Sequence, residues 1–381
     1  MIPRLLLTAS VLGLAACQLP QAGPPGSEVR RALIPEAEIV SSRHMSSLND
    51  TARYMAGMAG AMGSPLTSAR QTAHWQRYSR NMDELWRRFS VSKQPRISRF
   101  SQSELGPLRN TATVWYPFSG PDFVFANAFF TGASNYILCG LEGSEMLPEM
   151  ASLSSAQLDA GLDGIYTSLT SALSYSFFIT KDMRVDLQRT RFRGTLPLVL
   201  VFAARLGYDI QSVEQISLDA AGNPLSGLNK SCPGYAVRCT TGFGRTRTIY
   251  YFTEDVSNSS LAGDPRYLNF IKRFGTVVTY LKSASYLMHT EEFSTIRNAI
   301  LRQSRAVLED DSGIPLRSFG EEWDLTFYGK YAGTLDIFKG YYQPGLAEIY
   351  KTGGPAVRTI DFGLGYMFQS GQSAQILARK R

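Results

Sequence analysis

Two stretches of the chain repeat one order of apolar and polar positions. In the first, Thr111 to Tyr116 is apolar and β-prone, Ser119-Gly120-Pro121-Asp122 breaks the run, Phe123 to Phe130 predicts a short aromatic helix, and Asn135 to Leu141 predicts a second strand ending at Glu142. In the second, a strand over Thr276 to Leu281 meets the turn Lys282-Ser283-Ala284-Ser285. A helix over Tyr286 to Ser304 and a strand over Ala306 to Glu309 follow, and the unit ends at Asp310-Asp311. Antiparallel partners need only a tight turn, whereas a helix between two strands suits a crossover that brings them back in parallel. Identity between the two stretches is too low for a sequence repeat.

The flanking pattern adds helices before and antiparallel strands after the first unit. Residues 68–89 place Trp75, Tyr78, Met82, Leu85, Trp86 and Phe89 at three- and four-residue intervals, an apolar stripe for packing on the main body. A Met-rich helix is expected within 28–64. Beyond Glu149, SSAQLDAGLDGIYTSLTSALSYSFF and TLPLVLVFAARLGY predict two helices, the second apolar all round and therefore buried, with Pro197 in its first turn. Ile210 to Asp219 alternates as a strand, and Arg247 to Phe252 is the strongest strand candidate after it. The fold class expected is α/β: a mostly parallel sheet flanked by helices in Rossmann-like βαβ units, with an N-terminal helical segment and an antiparallel β extension. The boundaries expected are 28–100 for the helical segment and 101–381 for the α/β domain.

The first residues change the picture of where such a domain works. Arg4, the apolar run Leu5 to Leu14 and Ala15-Ala16-Cys17 follow the order of a secretory signal, and the run is too short for a permanent span of roughly 20 residues. Leu14-Ala15-Ala16-Cys17 resembles the lipobox of bacterial lipoproteins. That resemblance implies removal of residues 1–16, a lipid-modified Cys17 and, with Gln18 rather than Asp next, a periplasm-facing place on the outer membrane. Residues 17–27 then form the acylated cysteine and a Pro/Gly tether that can build neither helix nor central strand. Several acyl chains at roughly 0.8 kcal/mol per buried methylene hold a folded domain at a bilayer.

Composition narrows the partners. An apolar fraction of 44% fits a packed globule rather than disorder. The net charge of +7 is spread along the chain with no basic run beyond Arg379-Lys380-Arg381, so no nucleic-acid partner is expected, only mild attraction to anionic lipid or glycan surfaces. Cys232 and Cys239 flank a Pro-Gly turn in an exported chain and are expected to form a disulfide, while Cys139 reads as a small buried residue. With three histidines, none near these cysteines, neither zinc nor another resident metal is expected, and no cofactor is assigned.

Candidate chemistry gathers after the predicted strands. Ser119, Gly120 and Asp122 stand where an α/β sheet presents its carboxyl edge, and Glu142 lies about 20 residues on, from where an acid reaches a ribose hydroxyl in nucleotide folds. The outline resembles the first unit of Rossmann-like methyltransferases, but one glycine and a proline replace the glycine-rich loop. The bland alternative is a structural turn in which Asp122 caps its helix. Lys282, Ser285 and His289 form a second group. Ser285 and His289, four apart, share a face if the segment is helical, as a nucleophile and base or simply as a polar helix start. Asp310 and Asp311, after Glu309, form an acid/base or cation-binding cluster, or a solvated loop. No residue is assigned as catalytic.

YPFSGPDF, LKSASYLMH, LEDDSGIP and DFGLGY together resemble a family of uncharacterised bacterial envelope lipoproteins over roughly Phe100 to the C-terminus. The resemblance implies a compartment and a class, and transfers no activity or catalytic residue. The function expected is a lipid-anchored envelope protein whose cleft takes a polar ligand such as a glycan or a phosphorylated compound. Two alternatives stand beside it: an envelope hydrolase or transferase using acids at strand ends, and a non-enzymatic scaffold contacting partners through the stripe of Trp75 to Phe89.

Overall fold

A computed structural model describes residues 42–178, 187–227, 231–352 and 357–381. The signal, Cys17 and the tether lie outside the described residues. Among the described residues eleven strands form a single sheet in the order β10-β9-β11-β8-β7-β1-β2-β6-β5-β3-β4. In chain order they are β1 (Thr113–Tyr116), β2 (Asn135–Gly140), β3 (Asp209–Leu218), β4 (Pro224–Ser226), β5 (Gly234–Thr240) and β6 (Thr246–Thr253), then β7 (Val277–Leu281), β8 (Ser304–Glu309), β9 (Trp323–Gly329), β10 (Val357–Arg358) and β11 (Ala374–Lys380).

The five strands β8-β7-β1-β2-β6 run parallel. On one flank β5 pairs antiparallel with β6 and β3, and β4 with β3. On the other, β11 is antiparallel to both β8 and β9. The fold is therefore α/β with a parallel centre, but the expectation of a mostly parallel sheet is corrected. Paired residues are more numerous in the antiparallel flanks, where β3, β5, β6, β9 and β11 run seven to ten residues while β1 is only four. Both strand–helix–strand units form, and they lie side by side through β1 and β7.

Side chains of the central strands alternate between two cores, as a period of two requires. Val114, Tyr116, Tyr136, Leu138, Val278 and Tyr280 enter one core, and Trp115, Ile137, Cys139, Val277 and Leu281 the other. The first is covered by the helix Phe123–Phe129, all seven residues buried, and by Leu196–Arg205, buried except for its terminal arginine. The helix Ala73–Arg88 buries Trp75, Tyr78, Met82 and Leu85 in the same core. At about 1.5–3 kcal/mol per fully buried large apolar side chain, that burial holds the N-terminal helices to the sheet. The stripe is spent inside the chain, which removes it as the proposed scaffold contact.

The same alternation overturns the expected disulfide. Cys239, in β5, points into the first core, while Cys232, just before that strand, belongs to the second. Opposite faces of a sheet put two sulfurs out of bonding reach. Cys139, Cys232 and Cys239 are all buried free thiols.

Candidate functional site

Parallel strands place all their carboxyl ends at one edge. Here that edge has a switch point, because the chain leaves β1 toward β2 and β6 on one side and returns to add β7 and β8 on the other. In open α/β sheets the crevice outside such a point is where ligands bind. Asp122 follows β1, Glu142 follows β2, Lys282 follows β7 and Asp310 follows β8. The topology thus collects residues 122–310 of the sequence at the ends of four adjacent strands.

Asp122 and Lys282 meet across the switch point. Lys282 Nζ stands 2.6 Å from Asp122 Oδ2, with both side chains almost fully buried. Tyr116 Oη donates to the same Oδ2 at 2.8 Å. Lys282 also donates to the carbonyl of Ser176, a left-handed residue at the C-terminus of the helix Ser155–Tyr175, and lies 3.9 Å from the centre of the Phe125 ring. A cation suits that helix end because the last carbonyls carry partial negative charge. Lys93 donates to the Ser176 hydroxyl, and burial followed by the nearby Lys282 charge lowers its pKa to about 8. Burial raises the Asp122 pKa and lowers that of Lys282, and each charge offsets the other's desolvation. Asp122 occupies the N-cap position without a side-chain cap bond, so the expected helix cap is replaced by an ion pair.

Ser119 and Gly120 form the turn proper. Their amides donate to the Cys139 carbonyl at 2.9 and 3.2 Å, and the Cys139 amide donates to Ser119 Oγ at 3.0 Å, fastening the end of β1 to β2. Gly120 takes a φ of +53°, and a Cβ there would lie 3.6 Å from Glu142 Oε2. Tyr251 Oη donates to the Glu142 carbonyl at 2.9 Å and to Oε2 at 3.1 Å.

The segment after β7 is not the helix expected over Tyr286 to Ser304. Ser283, Ser285 and Tyr286 all have positive φ, between 53° and 57°, and only Leu287–His289 and Glu291–Phe293 make short 3₁₀ turns before the helix Ser294–Gln303. Ser285 and His289 therefore share no helix face, and a serine–histidine pair is not formed. Ser285 Oγ meets Tyr366 Oη at 2.9 Å, and Tyr366 Oη lies 3.1 Å from the Ser283 carbonyl. Left-handed non-glycine residues cost of order 1–3 kcal/mol each and cluster at functional sites. The β8 loop holds them in place. Asp310 accepts the Ser283 amide at 2.9 Å and, from Ser312, the amide at 3.0 Å and the hydroxyl at 2.5 Å, while Ser312 Oγ accepts the Ala284 amide at 2.8 Å.

Asp311 is held by Tyr286. Tyr286 Oη donates to its Oδ2 at 2.5 Å, and burial, then the Asp310 charge, raise its pKa to about 7. His289 is 8% exposed, its Nε2 has no hydrogen-bond partner among the described residues, and burial lowers its pKa to about 4. Two residues not assigned to the site from sequence belong here: Glu309, fully buried, with burial pushing its pKa well above the usual carboxylate range, and Tyr286. Glu309 gave a signal in its acidic triplet, whereas Tyr286 was visible only as one aromatic of KSASYLMH.

These shifts set a pH dependence. Between about 4 and 7 the folded protein keeps an Asp311 proton that the unfolded chain releases, so stability falls as pH rises through that window. Glu254, raised to about 7 by burial, adds a slope of the same sign. His289 acts oppositely, its share of stability being lost as pH falls from about 6.5 toward 4. Melting curves between pH 5 and 8 are expected to show a shallower loss for Asp311→Asn than for wild type. Parallel curves would remove Asp311 as the source.

No family model, curated protein or solved structure matches the chain. Among the described residues no helix is long and apolar enough to cross a membrane, and no group of three His, Cys, Asp or Glu is placed to hold a metal.

Proposed function

We propose that the protein is a lipid-anchored envelope protein that binds a polar ligand, a glycan or a phosphorylated compound, at the carboxyl edge of its Rossmann-like parallel strands. The observation that carries this reading is the gathering of Asp122, Glu142, Lys282 and Asp310 at the ends of four adjacent parallel strands around one switch point. Backbone strain in the β7 loop supports it, since three left-handed residues are kept where a relaxed turn would serve a purely structural connection. A second reading, an envelope hydrolase or transferase, draws on Asp311: a carboxyl near pKa 7 can give and take a proton at neutral pH. Asp310, committed to Ser283 and Ser312, positions the loop in either reading.

The compartment and the site are tested separately. Cys17→Ser is expected to move the protein from the membrane fraction to the soluble one, and retention on membranes after a salt wash would remove the anchor from the account. Calorimetric titration with envelope saccharides and sugar phosphates is expected to find a binder whose affinity drops at least tenfold in Asp311→Ala; unchanged affinity would place its site elsewhere.

A further inference from the structure

We infer that the occupant of this edge is a neutral, hydroxyl-rich saccharide held against a row of tyrosine rings, an inference that rests on the edge being a binding site at all. Tyr341 and Tyr286 stack at 5.5 Å with an interplanar angle of 3°, and Tyr286 and Tyr366 at 6.4 Å with 13°. Three nearly parallel rings thus stand beside the Asp311 carboxylate and the Ser285 hydroxyl. Tyr286 is 1% exposed, so the ring surface open to a ligand is that of Tyr341 and Tyr366, which are only partly buried. Such rings combine an apolar body with a polar tip, which matches a sugar ring that carries C–H groups on its faces and hydroxyls at its rim.

Hydrogen-bonding capacity beside the row is of the kind hydroxyls satisfy. His289 packs edge-on against Tyr286 at 5.2 Å and Tyr341 at 5.8 Å, and its unpartnered Nε2 is more than nine-tenths buried. A buried polar atom left unpaired costs roughly 1–3 kcal/mol, and a ligand hydroxyl, able both to donate and to accept, relieves that cost at His289 Nε2.

Charge argues against a phosphorylated occupant. Asp122, Glu142, Asp310 and Asp311 line the edge, while its two lysines are already engaged, Lys282 with Asp122 and the Ser176 carbonyl, Lys93 with the Ser176 hydroxyl. A phosphate would bring further negative charge toward these acids, and Arg317, a cation beside His289, already donates to the His289 carbonyl at 3.2 Å.

The test uses detergent-solubilised full-length protein and isothermal titration with chitotetraose and maltotetraose as neutral probes and N-acetylglucosamine 6-phosphate as the charged one. At least one neutral tetrasaccharide is expected to bind, with affinity reduced tenfold or more in Tyr366→Ala and largely retained in Tyr366→Phe, which keeps the ring. Melting temperatures of both variants identify any loss that reflects unfolding. If the sugar phosphate binds more tightly than either tetrasaccharide and Asp311→Ala alters its affinity, the saccharide inference is overturned and the edge remains the site. If no probe binds at millimolar concentration, both fail. Neutral-sugar binding indifferent to Tyr366→Ala overturns the tyrosine row.

Discussion

Replacing Lys282 by Met is expected to destabilise the protein by about 3–5 kcal/mol, the usual consequence of removing one partner from a buried ion pair. Lys282 is 3% exposed and Asp122 2% exposed, so neither charge has water to fall back on. Without the ammonium, the Asp122 carboxylate keeps only the Tyr116 hydroxyl at its Oδ2, and burial drives it to take up a proton. The Ser176 carbonyl loses a donor at the same time. The double variant Asp122→Leu, Lys282→Met is expected to recover much of the lost stability, because a well-packed apolar pair of similar volume replaces a buried ion pair with little net cost. Chemical denaturation of the four proteins measures the coupling. A single variant within about 0.5 kcal/mol of wild type, the range of an ordinary surface substitution, would mean that the pair is solvated and the crevice open to bulk water.

Gly365→Ala is the second large effect. Gly365 has a φ of +60°, and a Cβ there would lie 2.2 Å from Asp310 Oδ2 and 3.1 Å from Ser283 Oγ. The left-handed backbone alone costs an alanine roughly 1–2 kcal/mol. Asp310 must also swing away, losing its bond to the Ser283 amide, and a hydrogen bond to a charged group is worth about 1.5–3 kcal/mol. That bond holds the strained β7 loop, so ligand affinity is expected to fall together with stability. Gly371, also at positive φ but with nothing near its missing Cβ, provides the comparison: Gly371→Ala carries the backbone cost alone. Equal losses in the two variants would show that Asp310 has no special hold on the loop.

The sequence carried the central fold well where local pattern and tertiary demand agree. The strands of both βαβ units, the helix Phe123–Phe129 and the buried helix Leu196–Arg205 all fall within a few residues of expectation, because each is a continuous apolar run ended by a turn or a proline. Where long-range pairing decides, the pattern was silent. Ala374–Lys380, in the segment SAQILARK, is built of good helix formers, yet it lies between β8 and β9 with partners on both sides and takes their extended form. Gly234–Thr240 shows a strand's alternation in Tyr235, Val237 and Cys239, and that alternation turns Cys239 away from the bridge to Cys232 that their spacing suggests.

The candidate site shows the same division. That Asp122, Lys282 and Asp310 follow strands was legible from local pattern alone. Their meeting was not, since it depends on β1 and β7 becoming neighbours across more than 150 residues of chain. Tyr286 was hidden for a different reason: it takes a left-handed conformation in a loop that Asp310 and Ser312 fasten at Ser283 and Ala284, and helix periodicity pointed the other way. The row it forms with Tyr341 and Tyr366 joins three segments that no spacing rule connects.

The most direct test of the switch-point edge as the binding site is a crystal structure of the full-length protein with the best-binding tetrasaccharide. The account predicts difference density against the Tyr366 ring, within hydrogen-bond reach of Asp311 or His289. Density instead in the surface cleft of about 310 Å³ between Arg96, Arg99 and Asp361, with the edge unchanged, would contradict it.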